Sequence, residues 1–474
     1  MSEGMSGQAD LIAAARAELG DCAVVTDGSA IAPWLTDWRG RWQGRAPALL
    51  QPASTDEVAA VVRLAAEHRV PLVPQGGNTS MVGGATPPSN GSAVLLSLRR
   101  MNRIRGIGQD QAVVEAGVVL QTLHEVAAES GRRFPLTLGA RGSATVGGLA
   151  ATNAGGTQVL RFGTMRRLVL GVEAVLADGS VVDSLSALKK DNRGYDLTQL
   201  LVGSEGTLGI ITALNVRLVP AVASRAVAWV GLASPQAGLN LLRRLQAATD
   251  RVEAFEILPD ESLARVLQHI PGTRPPLAGP HRWHALIEAT ASSAGAEPPA
   301  ELLQRLLGEA LEAKLIEDAV ISGREAQAEN FWRIRESISE AERASGVQAQ
   351  HDISVPVDTM PRFMEEAAAA IERAFPGTHA SGFGHLGDGN IHFHVRAPAG
   401  SSREWLDGGG AAATRMVHDL VTAAGGSISA EHGIGQMKRE ELARLLPPAR
   451  LAAMRAIKAA LDPHAILNPG KLLD

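Results

Sequence analysis

One cysteine, Cys22, stands in a chain of 474 residues. That excludes disulfides within the chain and any cysteine-built metal or redox centre. Such scarcity suits a reducing compartment, and the expected location is cytoplasmic. Dense basic runs are missing too: 45 Lys and Arg stand against 50 Asp and Glu, a net charge of −5. A reader of phosphate backbones is thereby excluded, and no nucleic-acid partner is expected. No apolar run approaches the length of a bilayer span, so no transmembrane segment is expected. The first twenty residues have acids and no basic region ahead of an apolar stretch, and read as a short amphipathic helix rather than a secretory signal. Repeats and low-complexity tracts are absent. What is present is 45% hydrophobic residues, enough for two domains or more of an ordinary soluble globular protein.

From Ala48 to Pro220, short β-branched runs alternate with helical stretches and glycine turns. Residues 55–68 have the pattern of an amphipathic helix with Thr55 as N-cap. Strands are expected at 93–98, 112–116, 168–177 and 208–218. After Pro220 glycine thins out. Strands at 226–232, 252–257 and 283–289 alternate with helices at 235–248 and 301–314, a second α+β layer. Pro271 to Pro280 is a proline-rich connector, and the chain from Ala411 onward is mostly helical.

Three glycine-rich loops punctuate the first part: PQGGNTSMVGG from Pro74, GSATVGG running into TNAGG from Gly142, and GSEGTLG from Gly203. Glycine permits the alternating dihedrals with which consecutive N–H groups cradle an anion. The Walker lysine is missing. A single loop of this kind is more often an ordinary turn. Three in one α+β region, none fitting a Rossmann or P-loop template, favour a large phosphate-bearing cofactor.

Between Gly384 and Gly435, GHLGDGNIHFHV and AEHGIG gather His385, His392, His394, Glu431 and His432. Imidazole and carboxylate are the ligand set of a divalent transition metal such as zinc. His392 and His394 lie two apart in an alternating run and share one face of a strand. Residues 387–390 have turn chemistry, so His385 can fold back toward His392. A lone strand histidine is more often packed than liganded. Two at the ends of one turn, with a Glu-His pair downstream, favour a metal site with a base beside it. Spacing alone leaves His394 open as a third ligand. The match of GFGHLG to GxGxxG is rejected, because a turn and a strand follow it where the dinucleotide fingerprint needs a helix.

In order, PQGGNTSMVGG, ATVGGLAATNAGG, DNRGYDLTQLLVGSEGTLGIIT, GHLGDGNIHFHV, AEHGIG and LNPGK resemble the FAD-linked D-2-hydroxyacid dehydrogenases of the vanillyl-alcohol-oxidase flavin fold. The D-2-hydroxyglutarate and flavin-type D-lactate dehydrogenases are the members most resembled. The implied fold is α+β. It has a two-part FAD-binding domain over 1–221, an α+β substrate or cap domain over 222–410, and a helical C-terminal segment over 411–474 returning to the flavin. The resemblance places Pro74, Gln75, Gly76, Gly77, Asn78 and Thr79 around the FAD pyrophosphate, with Gly142, Ser143, Thr145, Gly147, Gly148, Thr152 and Asn153. Glu205, Gly209 and Ile211 then lie along the cofactor, and Asn468 approaches the flavin. Asn78 stands where some relatives attach FAD through a histidine, which implies non-covalent FAD.

By the same resemblance His385, His392 and Glu431 hold the metal, and His432 is the base. Arg335 and Ser339, read as one helical turn apart, hold the substrate carboxylate, and Asn390 also faces the substrate. The implied reaction is metal-assisted oxidation of a D-2-hydroxy acid (2-hydroxyglutarate, lactate or a related acid) to the 2-oxo acid. Electrons pass to a non-nicotinamide acceptor such as an electron-transfer flavoprotein, a quinone or a cytochrome, and a homodimer is compatible with this. Two positions depart from the pattern. Gln350 stands where D-2-hydroxyglutarate dehydrogenases carry a lysine, and His394 where they often carry asparagine, so substrate selection is expected at Gln350 and His394. Two other readings stand beside this one: a flavin subunit of a glycolate-oxidase-like complex, and a His/Glu metallohydrolase, which leaves the glycine loops without a use.

Overall fold

Short buried runs separated by glycine turns build the first part of the chain into two sheets. In the computed structural model, which describes residues 2–473, β1 (Val24–Val25), β2 (Leu49–Leu50), β3 (Leu72–Gln75) and β4 (Val94–Ser97) form a sheet in the order β1-β2-β4-β3. β4 pairs in parallel with β2 and β3 and is buried at every position, which suits its run VLLS. The helix Thr55–His68 links β2 to β3, burying Val58, Val61, Val62 and Ala65. Its N-cap is Ser54, one residue before the expected Thr55. Ser54 Oγ accepts from the Glu57 N–H at 3.1 Å, and Glu57 Oε2 accepts from the Ala53 N–H at 2.7 Å. This reciprocal pairing satisfies two donors, which Thr55 in helical geometry would leave open.

The second sheet is antiparallel, with order β5-β6-β10-β8-β9. Its strands are β5 (Ile104–Ile107), β6 (Gln111–Glu115), β8 (Val169–Val175), β9 (Val181–Asp183) and β10 (Ile210–Arg217); β7 (Arg132–Arg133) and β11 (Val219–Pro220) make a separate ribbon. Both sheets belong to one compact unit, made of the chain up to Gly156, Gly163–Pro220 and the chain from Glu431 onward.

The other unit comprises Thr157–Phe162 and Ala221–Ala430. Its centre is a seven-stranded antiparallel sheet of β12 (Ser224–Leu232), β13 (Val252–Pro259), β14 (Trp283–Ala291), β15 (Asp318–Ile321), β16 (Gln348–Ser354), β17 (His379–His385) and β18 (Asn390–Arg396). The order is β15-β12-β14-β13-β17-β18-β16. Side chains alternate between faces, and the two faces differ. Ala228, Val230, Phe255, Ile257, Ile287, Ile391 and Phe393 point into an apolar core with the helices Pro235–Ala248, Pro299–Glu312, Met360–Ala374 and Gly409–Ala423. The last helix, grouped in the sequence with the C-terminal segment, contributes Ala413, Val417 and Val421 here. On the opposite face Trp229, Leu258, Leu286 and Phe383 pack against Phe331, Ile334 and Ile338. Toward β17, β18 and β16 that second face gives way to histidine, aspartate and amide side chains. No helix among the described residues is long and apolar enough to cross a membrane.

Candidate active site

The polar end of the second face is set by register. On the hairpin of β17 and β18, His385 lies opposite Asn390 and Phe383 opposite His392, so His385 and His392 are diagonal neighbours on one face. Their rings are 5.6 Å apart at 79°, and each offers a ring nitrogen within 4.8 Å of one on the other. His394, two residues on, shares the face but not the pair. Its Nδ1 is 3.9 Å from Glu342 Oε2, and its ring stands edge-on to Phe383 at 5.3 Å. Phe383 is thus a floor on which His392, His394 and Arg335 all rest.

Glu256 was not expected here. It lies on β13 directly opposite His385, fully buried. Oε1 accepts from Nδ1–H of His385 at 2.7 Å, while Oε2 accepts from Arg335 Nε at 2.9 Å and lies 2.7 Å from Nη2. Burial pushes the carboxyl up, but the charges of His385 and Arg335 and their hydrogen bonds more than offset it, leaving Glu256 below its ordinary value. Asp388, in the hairpin turn, shifts the other way. Burial, with Glu256 and Asp352 nearby, outweighs His385 and holds its carboxyl above the usual range.

Arg335 is buried, at the end of the helix Glu325–Glu336, its guanidinium carbon 5.1 Å from the Phe383 ring centre. The expected single helix from Phe331 to Ser339 is divided. Ser337, at ψ −8°, closes one helix and opens the next, Ile338–Ala344, which carries Ser339. Gln350 faces His394 across β16 and β18, and Asp352 faces His392. Asn390 is bound into the sheet: both hydrogens of its Nδ2 are engaged, by Asp352 Oδ1 at 2.9 Å and the Ile353 carbonyl at 3.0 Å. A substrate is left only its Oδ1, which is buried and unpartnered among the described residues.

In the first unit the three glycine loops meet backbone to backbone. A Cβ on Gly77 would lie 2.0 Å from the Ser143 carbonyl, and one on Gly76 2.2 Å from Thr145 Oγ1. Only glycine allows that approach. Arg99 clasps the carbonyls of Gly76 and Gly77, each at 3.2 Å, while lying over Trp34. Gly148 N–H donates to Thr145, the N-cap of the helix Val146–Ala151, and Thr152 Oγ1 donates to the Gly148 carbonyl. Several polar residues expected against the cofactor also hold the loops. The Gln75 amide donates to the carbonyls of Trp34 and Ala85, Asn78 to Thr36, and Asn153 Oδ1 accepts from Arg166 N–H. Asn468 Nδ2 bridges the carbonyls of Gly84 and Glu205. Pro74 lies in β3 and packs where a Cβ on Gly206 would be; Ile211 is buried in β10, the strand that begins directly after Gly209. Thr79 lies within the first loop and Gly142 opens the second. Glycine-lined backbone with its side chains turned to bracing fits an extended diphosphate.

Glu205 braces another segment. Its carboxylate accepts from the N–H groups of Ile434 and Gly435 at 2.7 and 2.8 Å. The segment just after His432 is thereby pinned, and Gly433 turns the chain at φ +80°. Glu431 is the first residue after the second unit ends at Ala430. The nitrogen donors of His385 and His392 fit a divalent metal, and the hydrogen bond from His385 Nδ1–H to Glu256 is the outer partner that a metal-bound imidazole commonly has.

Comparison with known proteins bears on the same residues. A model of the FAD binding domain matches residues 46–184, and one of the FAD linked oxidases, C-terminal domain, matches 222–472. A mitochondrial D-2-hydroxyglutarate dehydrogenase of Bos taurus is 38% identical over 453 residues, covering 95% of this chain and 81% of that protein. The D-2-hydroxyglutarate dehydrogenase of Xanthomonas citri pv. viticola is 38% identical over 440 residues, covering 92% and 91%. Among solved structures, substrate-bound p-cresol methylhydroxylase superposes with a TM-score of 0.74 at 17% identity, over 99% of this chain and 97% of that one. The architecture is therefore the two-domain FAD-binding fold of that group, as the sequence led one to expect.

Proposed function

Because the chain belongs to the family of FAD-linked D-2-hydroxyacid dehydrogenases and is an FAD-dependent dehydrogenase, we propose that it oxidises a D-2-hydroxy acid with the aid of a divalent metal held by His385, His392 and Glu431. The observation that carries the proposal is the His385–His392 pair, with Glu256 fixing the tautomer of His385 and Arg335 beside it. Bound FAD would supply the acceptor for the α-hydrogen and its electron pair, and a metal on His385, His392 and Glu431 would lower the pKa of the substrate hydroxyl. His432 accepts the hydroxyl proton on its imidazole. Arg335 holds the substrate carboxylate from the edge that Glu256 leaves open. Gln350 and His394 face the distal end of the acid. Gln350 offers a neutral amide where a lysine would offer charge, so acids with a short or uncharged tail are accepted beside 2-hydroxyglutarate.

The electrons leave to a carrier other than a nicotinamide, such as an electron-transfer flavoprotein, a quinone or a cytochrome. Anaerobic mixing of the FAD-loaded chain with a panel of D-2-hydroxy acids is expected to bleach the flavin, and prior removal of metal by a chelator to stop the bleaching. Undiminished bleaching after demonstrated metal loss would overturn the role given to His385, His392 and Glu431. Turnover by the isolated chain with an artificial electron acceptor separates this reading from that of a glycolate-oxidase-like subunit, which requires its complex.

A further inference from the structure

Glu256 touches both halves of the second unit's site. One oxygen takes the proton-bearing nitrogen of His385, and the other takes the Nε, Nη2 side of Arg335. We propose that Glu256 is a positioning residue that sets the metal-binding nitrogen of His385 and the carboxylate-binding edge of Arg335 together. The inference rests on the reading of His385 as a metal ligand given above.

A fully buried carboxylate is costly, and an apolar pair of the same volume commonly packs as well or better, so stability alone is a weak reason for Glu256 to be there. The geometry gives another. An imidazole has two tautomers, and only the one protonated at Nδ1 leaves Nε2 free for a metal; a carboxylate 2.7 Å from Nδ1 selects that form and makes the ligand more basic. A guanidinium has two edges and a face. Glu256 occupies the Nε, Nη2 edge and Phe383 the face, which directs the remaining Nη1 side to an incoming acid. Because β13 and β17 pair through Glu256↔His385 and Ile257↔Gly384, the contact also helps fix where β17 delivers its histidine. A displaced Glu256 carboxylate therefore disturbs both binding functions at once.

The test uses FAD-loaded full-length protein, with zinc affinity measured by competition against a chromophoric chelator and acid affinity by the flavin spectral change on adding 2-oxoglutarate. Glu256→Gln is expected to weaken zinc binding about 10- to 100-fold, the usual effect of removing a ligand's outer partner, and to weaken acid binding as well. Arg335→Met is expected to weaken acid binding while leaving zinc affinity unchanged. Flavin content and circular dichroism report folding, which a purely structural role would move and zinc affinity would not follow. A folded Glu256→Gln variant with zinc affinity within twofold of wild type overturns the proposal. If that variant does not fold, nitrogen NMR of labelled histidines in the wild-type protein decides: a His385 protonated at Nε2 overturns it, and one protonated at Nδ1 supports it. Zinc binding that survives His392→Ala would instead overturn the underlying metal reading, so the two failures are distinct.

Discussion

Gln350 and His394 sit directly opposite each other on β16 and β18, and neither carries a fixed positive charge. Restoring one should redirect selection. Gln350→Lys is expected to raise the ratio of kcat/KM for 2-hydroxyglutarate over lactate on the order of tenfold, since a hydrogen bond to a charged group contributes about 1.5–3 kcal/mol; an unchanged ratio would remove Gln350 from the distal pocket. His432→Ala should slow substrate-driven flavin reduction by roughly 100- to 10,000-fold without loss of bound FAD, the range expected for loss of a general base. At this scale the histidines were legible because turn and strand periodicity alone bring His385 to His392. Glu256 was not. It is 129 residues from His385 in the chain, and only the pairing of β13 with β17 makes them neighbours. A trace existed nonetheless: β13 is buried at every position, yet its sequence, VEAFEILP, contains two glutamates. An acid in a wholly buried strand must have a partner.

The strand β17 ends at His385 and begins at a second histidine with a different function. His379 Nε2 is 2.7 Å from Glu261 Oε2 on the helix Asp260–His269, and Nδ1 is 2.8 Å from Glu372 Oε1 on the helix Met360–Ala374. The Glu261 hydrogen bond, with the charges of both glutamates, outweighs burial and the nearby Arg265, and raises the His379 pKa above its ordinary 6.5. A raised folded-state pKa means that the protonated form favours folding. The contribution is complete below 6.5 and fades as pH climbs through the raised value. Thermal unfolding followed against pH should show this decline in the wild type and a flatter profile in His379→Gln; parallel profiles would exclude the clamp. Element types and most boundaries followed from local pattern, and the exceptions have local causes. Ser54 rather than Thr55 caps its helix because Glu57 can reciprocate, and Ser337 divides a helix whose apolar stripe runs through the break.

At the scale of the molecule, the chain does not fall into consecutive halves. Residues 157–162 leave the first unit and join the second, where Arg161 Nη1 is 2.7 Å from Glu253 Oε1 and 3.1 Å from Thr290 Oγ1. A Cβ on Gly387 would meet Leu160 at 2.6 Å, so the hairpin carrying both histidines is packed against this excursion. Nothing in the composition of TQVLRF announces it, because its meaning lies in a buried carboxylate on a distant strand. Arg161→Met should leave Glu253 buried without its cation and destabilise the second unit by roughly 2–4 kcal/mol, somewhat less than a fully enclosed pair because Arg161 is partly exposed. Urea unfolding monitored by tryptophan fluorescence checks this, and no change in midpoint would contradict it.

The bridging of Gly84 and Glu205 by Asn468 has a consequence for the order of events in the cell. A ribosome delivers Gly84 and Glu205 before Ala221–Ala430 and Asn468 after it. The later-made unit can thus complete its seven-stranded sheet while the earlier-made one still waits for its closing residue. Flavin loading that depends on Asn468 is then expected to wait until both units have been synthesised. A chain cut after Pro447 is expected to emerge colourless, and a visible flavin spectrum from that truncated protein would contradict the sequence of events.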